Sequence, residues 1–220
     1  MMKHYHFQKE NSSLPVGKVI CLARTYKKHA EEMKSTPPPN PVLFLKPPSS
    51  IIFSGDTIKY PVQSTCLHHE VEVGIVIGKK TKNISIEDSL TVVCGYVVGL
   101  DITARDIQSE AKKNGWPWSI AKGFDTFAPI SDVISCKDVK DPNNFNFRLS
   151  VNSTVRQQGN TRDLIWDIET LISYISKIMT LQPGDLILTG TPEGVSEIKR
   201  GDQITAELDG FISLSVDVGN

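Results

Sequence analysis

The run LHHEVEVGIVIG, residues 67–78, limits what this chain can fold into more than any other feature. Its polar and apolar residues alternate with period two, a spacing that suits a strand and not a helix. On that reading Glu70 and Glu72 share one face of a strand, and Val71, Val73, Ile75 and Ile77 share the other. Two carboxylates side by side repel one another unless a cation lies between them. A solvated outer face would also carry alternating glutamates. Against that, the same face continues as Gly74, Val76 and Gly78, a poor choice for a strand facing water. Glycines there would let another backbone or a ligand come close. On the pattern alone, a solvated face and a cation-holding face stand side by side.

Similar runs recur between turn signals, at Val42–Leu45, Val92–Leu100, Phe145–Val151, Leu186–Thr189 and Ile204–Leu208. Asp209-Gly210, between ITAEL and FISLSVDV, marks a hairpin turn. Two helices are expected. One begins at Ile168 after an Asp167 cap, with Leu171, Ile172, Ile175, Ile178 and Met179 on one face and Pro183-Gly184 as the stop. The other runs from about Thr103 to Lys113, with Thr103 and Asp106 in capping-box spacing and Asn114-Gly115 as the stop. Many strands and few helices predict an α+β, mainly β fold. The stretch STPPPNP, residues 35–41, reads as an extended connector.

The chain has 220 residues and a formal net charge of -1, so one domain is expected, with no electrostatic reason for a nucleic-acid or anionic-membrane partner. No apolar run approaches the roughly 20 residues of a membrane-spanning helix. Met1–Asn11 lacks the apolar core of a signal peptide and the Arg- and Ser-rich character of a transit peptide, which predicts a cytoplasmic location. The four cysteines, Cys21, Cys66, Cys94 and Cys136, stand singly, so no zinc or redox pair is expected; Cys94 reads as a small buried hydrophobe.

Asp101 ends the run GYVVGLD where a strand gives way to a helix; it either caps that helix or binds a ligand. Arg105 and Gln108, three apart, share a helix face. His29 and Glu32 have the same spacing on a short helix, which lets a carboxylate orient an imidazole, although a solvated charged helix would look alike. Lys122, in SIAKGFDTFAP, is either a substrate-contacting ammonium or a snorkelling surface lysine.

The segments RTYKKHAEEM, PVLFLKP, LHHEVEVG, LDITARDIQ, the AK of SIAKGFDTFAP and LTGTPEGV, taken in order, resemble the fumarylacetoacetate hydrolase superfamily. The likeness is to its small acylpyruvase members that also act on oxaloacetate, and it runs from about Lys18 to Val218. It implies a mixed β-sandwich roll of the C-terminal-domain type, one catalytic domain over 1–220 with a lid at about 25–40, and a homodimer. By resemblance Glu70, Glu72 and Asp101 are ligands for Mg²⁺ or Mn²⁺, which a set of three carboxylates suits. His29 and Glu32 fall on a water-activating dyad, Lys122 on a catalytic position, and Arg105, Gln108 and Thr191 on substrate contacts. The family pattern G-R-N-Y is replaced here by Ala23-Arg24-Thr25-Tyr26, in the loop leading to the lid. His68 and His69 read as supporting groups and not ligands. The implied reaction is metal-dependent cleavage of the carbon–carbon bond of acylpyruvates to pyruvate, with decarboxylation of oxaloacetate. Alternatives are a hydroxymuconate-type isomerase or decarboxylase, a fumarylpyruvate hydrolase, and a non-catalytic metal–oxoacid binder. A longer substrate would need further cations, for which Arg24 and Lys46 are available.

Overall fold

Strands Val71–Ile77 and Val93–Leu100 pair antiparallel, with Val71 opposite Leu100 and Glu72 opposite Gly99. They lie at the centre of an eight-stranded sheet in a computed structural model that describes residues 3–32 and 38–219. Parts of the expected lid and of the 35–41 connector, residues 33–37, lie outside the described residues. Outward from the centre on one side come Leu186–Leu188, Val19–Ala23 and Val42–Lys46, and on the other Ala128–Ile130 and Ile51–Phe53; the short Ile134–Ser135 pairs with Val93–Leu100. A second sheet, in the order Thr154–Asn160, Asn146–Val151, Gln203–Leu208, Ile212–Gly219, Thr57–Lys59, packs on the first. Parallel and antiparallel pairs mix in both. The mainly β architecture is as expected.

The period-two reading holds. Val71, Val73, Ile75 and Ile77 enter the core shared with the second sheet, against residues such as Phe147, Leu149, Ile204 and Leu214. The opposite face is also dry: Val76 packs with Val97, Leu186 and Leu188 under the N-terminal segment carrying Tyr5 and Val16. A methyl at Gly74 would meet Val97 Cγ2 at 2.5 Å, so the glycine makes room for a neighbouring strand's side chain and not for a ligand. The strand is buried throughout, which removes the solvated-face reading.

Four helices are present among the described residues: α1 (Lys27–Glu32), α2 (Arg105–Asn114), α3 (Ser119–Lys122) and α4 (Ile168–Ile178). Asp167 caps α4 by accepting the Thr170 N–H at 2.8 Å, and Leu171, Ile172 and Ile175 are buried. Ile178, expected on that face, is 53% exposed; the helix ends there and Met179 takes the packed place. The capping box expected at α2 does not form. Thr103 lies in a short strand opposite His68, and the Asp106 carboxylate accepts Ser64 Oγ–H and Thr65 N–H instead, so α2 starts at Arg105 with no side-chain cap. Gly115 closes α2 in the left-handed region, φ 69°, as expected. The hairpin at Asp209-Gly210 forms as a three-residue loop, with Leu208 opposite Ile212 and Gly210 at φ 77°. None of the described helices is long and apolar enough to cross a membrane.

Candidate active site

Strand pairing gathers the site at one end of the central sheet. Because Val71 faces Leu100, the residues just outside that pair, Glu70 and Asp101, lie side by side, and Asp101 N–H donates to the Glu70 carbonyl at 2.8 Å. Strand Leu186–Leu188 runs antiparallel to Val71–Ile77, which brings Gly190, two residues beyond it, to Glu72; its N–H donates to Glu72 Oε2 at 2.7 Å. Val19–Ala23 lies parallel to Leu186–Leu188 and delivers Arg24 to the same end. One carboxylate oxygen from each of Glu70, Glu72 and Asp101 lies within 4.8 Å of the others, and all three side chains are buried. Asp101 caps no helix.

Three cations face these carboxylates. Lys122 Nζ donates to Glu70 Oε2 at 2.9 Å and to Asp101 Oδ2. It is 2% exposed, which rules out a snorkelling surface lysine. Arg105 pairs with Glu70 Oε1 and donates to Gln108 Oε1 at 2.7 Å, while its buried Nε has no partner among the described residues. Lys46 is wholly buried and lies 2.8 Å from Asp101 Oδ1; it donates to the carbonyls of Ile102, Lys122 and Phe127 at 2.9, 2.6 and 2.9 Å. Its ammonium is therefore spent on the protein, which removes Lys46 as a candidate for a longer substrate.

The charges are unevenly shared. Burial opposes ionisation of Glu70, but Lys122 and Arg105 outweigh it and hold the carboxyl below the usual range. Glu72 has no lysine or arginine within ion-pair distance among the described residues. Burial first, then Asp101 and Glu70, push its carboxyl well above the usual range. Asp101 Oδ1, buried and close to Lys46, receives no hydrogen bond. A carboxylate lacking a counter-charge, on three converging hard oxygen donors, fits a divalent cation. Buried carboxylates are otherwise paired or protonated.

The remaining expected residues line the same cavity, about 60 Å³ among the described residues: His29, Gln108, Lys122, Arg105 and Thr191. His29 Nδ1 lies 3.3 Å from Glu32 Oε2, and the Glu32 carboxylate also accepts Gly194 N–H at 3.1 Å, which ties α1 to the loop after Thr191. The substituted loop holds: Thr25 Oγ–H donates to the Thr189 carbonyl at 2.6 Å.

Behind Thr191 stands a group that no local pattern marks, Gln157. Its Oε1 accepts Val71 N–H at 3.0 Å, and its Nε2 donates to the Pro192 carbonyl at 2.9 Å and to Thr191 Oγ1 at 2.8 Å. The backbone donor and acceptor fix which end of the amide is oxygen. His69 Nδ1, 2.8 Å from that same oxygen, must then carry the proton, and its Nε2 meets Ser196 Oγ at 2.8 Å. Thr191 Oγ1 accepts from Gln157, so its own proton is free to point into the cavity. His69 is a buried supporting group, as expected. Among the described residues His68 Nδ1 has no partner and His68 is not in the carboxylate cluster; burial followed by Arg105 pushes the ring down to about 4. Lys112 and Arg24 also line the cavity. Lys112 was detectable in the sequence, since 105, 108 and 112 fall on one helix face.

Residues 18–219 match the fumarylacetoacetate (FAA) hydrolase C-terminal family, and the chain belongs to that family of enzymes. It is 47% identical over 201 residues, 91% of this chain and 90% of the relative, to the mitochondrial oxaloacetate tautomerase FAHD1 of Arabidopsis thaliana. It is 46% identical over 195 residues, 88% of this chain and 89% of the relative, to the mitochondrial oxaloacetate decarboxylase of Dictyostelium discoideum. The crystal structure of fumarylpyruvate hydrolase from Pseudomonas aeruginosa in complex with Mn²⁺ and pyruvate matches with a TM-score of 0.95 at 36% identity, covering 99% of this chain and 96% of that one.

Proposed function

We propose that Glu70, Glu72 and Asp101 hold Mg²⁺ or Mn²⁺ and that this enzyme acts there on small 2-oxo acids, cleaving acylpyruvates to pyruvate and a carboxylate and decarboxylating oxaloacetate. The observation that carries the reading is the convergence of three buried carboxylates, one of them without a counter-charge, beside an arginine–glutamine pair and an imidazole–carboxylate pair. The Mn²⁺ and pyruvate of the Pseudomonas structure support the metal and the 2-oxo acid, the names of both relatives support oxaloacetate as a ligand, and that of the Dictyostelium relative supports its decarboxylation.

The cation, when bound, supplies Lewis acidity toward negative charge developing on substrate oxygens. Arg105, with its unpartnered Nε, and Gln108 receive the substrate carboxylate. The Thr191 hydroxyl donates from the other side. His29, oriented by Glu32 through Nδ1, takes a proton from water at Nε2 as the water oxygen attacks the distal carbonyl carbon. The bond between that carbon and the adjacent methylene breaks, its electron pair passing to the pyruvyl fragment as an enolate, which then takes up a proton at carbon. Lys122 stands where its ammonium supports that charge. Oxaloacetate loses CO₂ to the same enolate and needs no attacking water. Pyruvate release from acetylpyruvate, fumarylpyruvate and oxaloacetate, measured with Mg²⁺ or Mn²⁺ and again after chelation, tests the proposal. Turnover that requires metal is expected; no turnover of any of the three, or turnover indifferent to chelation, contradicts it.

A further inference from the structure

We infer that Arg24 and Lys112 form a second anion subsite at the mouth of this cavity, which takes the far carboxylate of a 2-oxo dicarboxylate; the inference rests on the function proposed above and narrows its substrate class.

Charge accounting around the site supports it. Inside, three carboxylates, Glu70, Glu72 and Asp101, face three cations, Lys46, Lys122 and Arg105. A divalent cation leaves that end two charges positive. The near carboxylate of a 2-oxo acid and the oxygen that becomes enolate supply two negative charges. Nothing further is needed for a monocarboxylic acylpyruvate.

Arg24 and Lys112 are additional. Both line the cavity, and among the described residues neither has an Asp or Glu oxygen within 4.0 Å. Lys112 lies on the α2 face that carries Arg105 and Gln108, with its ammonium 5.4 Å from the centre of the Trp118 ring, whose residue also lines the cavity. Burial, then the charges of Arg105 and Arg24, lower its pKa, as expected of cations gathered with no anion between them. Arg24 is held there at a cost. Its φ is 60°, the left-handed region that non-glycine residues seldom adopt, and the Thr25–Thr189 hydrogen bond beside it pins the turn. Lys112 is exposed and Arg24 half-buried, whereas Glu70, Glu72 and Asp101 are buried, so the pair lies on the solvent side of the cavity. A four-carbon diacid chelated at its 2-oxo end would direct its second carboxylate toward them.

The test compares Arg24→Gln, Lys112→Gln and the double variant with the parent, using oxaloacetate and acetylpyruvate on metal-replete enzyme. The ratio of kcat/KM for the diacid over the monoacid should fall at least about tenfold in each single variant and further in the double, chiefly through KM. Arg24→Lys and Lys112→Arg should keep most of the preference, which separates charge from folding. A readout without turnover uses the Mn²⁺-loaded protein titrated calorimetrically with malate and with lactate; the double variant should lose malate affinity about tenfold relative to lactate. An unchanged malate-to-lactate ratio, or equal losses of both substrates, overturns the subsite. If the parent turned over neither acid, the proposed function would fail on its own, and the malate and lactate titrations would still decide the subsite.

Discussion

Glu72 accepts the backbone N–H of Gly190 at 2.7 Å, its one hydrogen bond among the described residues, in a site where Glu70 and Asp101 are both held by ammonium groups. The peptide group at 190 can reach Glu72 because Gly190 has φ 95°, and because it lacks a Cβ, which would lie 1.9 Å from Thr25 Oγ1. Backbone conformation and carboxylate position are thus linked at one glycine.

Gly190→Ala therefore meets both strain and a clash with a hydroxyl held by its own hydrogen bond. A loss of about 2–4 kcal/mol in urea unfolding is expected. A loss below about 0.5 kcal/mol would show that the turn relaxes freely.

His29→Ala should lower acylpyruvate hydrolysis by a factor of about 10²–10⁴, the range for a positioned general base. Oxaloacetate decarboxylation, which needs no activated water, should fall far less. Parallel kinetics on the two substrates check this, and equal losses would remove the base from His29.

Gln157→Glu keeps shape but removes the donor to Thr191. Its carboxylate still accepts from Val71 N–H and His69, so Thr191 must turn its proton toward residue 157 and away from the cavity. A fall in kcat/KM of about tenfold is expected, together with loss of the Nδ1–H tautomer signature of His69 by NMR if the new carboxylate charges the ring. Unchanged kinetics would mean that the Thr191 proton does not serve substrate.

His68 gives a pH signature. Its ring is held near about 4 against an ordinary 6.5, so the unfolded chain binds its proton at a higher pH than the native one does. Native stability from this group is complete above about 6.5 and is progressively lost as the pH falls toward about 4. His68→Gln should flatten that part of the acid limb in denaturant titrations; an identical pH dependence in the variant would exclude His68 as its source.

Much of this could be read along the chain because it is local. Period two placed Glu70 and Glu72 together, and helix spacing paired Arg105 with Gln108 and His29 with Glu32. What escaped is set by partners distant in sequence. Asp106 matched a capping box but is taken by Ser64 and Thr65, some forty residues upstream. Lys46 looked available until the fold surrounded it with the carbonyls of Ile102, Lys122 and Phe127, all more than fifty residues away in sequence. Gln157, on a strand of the other sheet, has no neighbour in sequence that hints at Thr191. The glycines on the Glu72 face signalled close approach correctly, but Gly74 accommodates the side chains of Val97 and Leu186.

The central claim is that three carboxylates at positions 70, 72 and 101 hold one divalent cation. Calorimetric titration of metal-free protein with Mn²⁺, run in two buffers of different ionisation enthalpy, tests it most directly. One ion per chain is expected, with proton release as the raised Glu72 carboxyl ionises on binding, and with binding lost in Glu72→Gln. Absence of binding in the parent protein, or equal affinity in Glu72→Gln, would contradict the account.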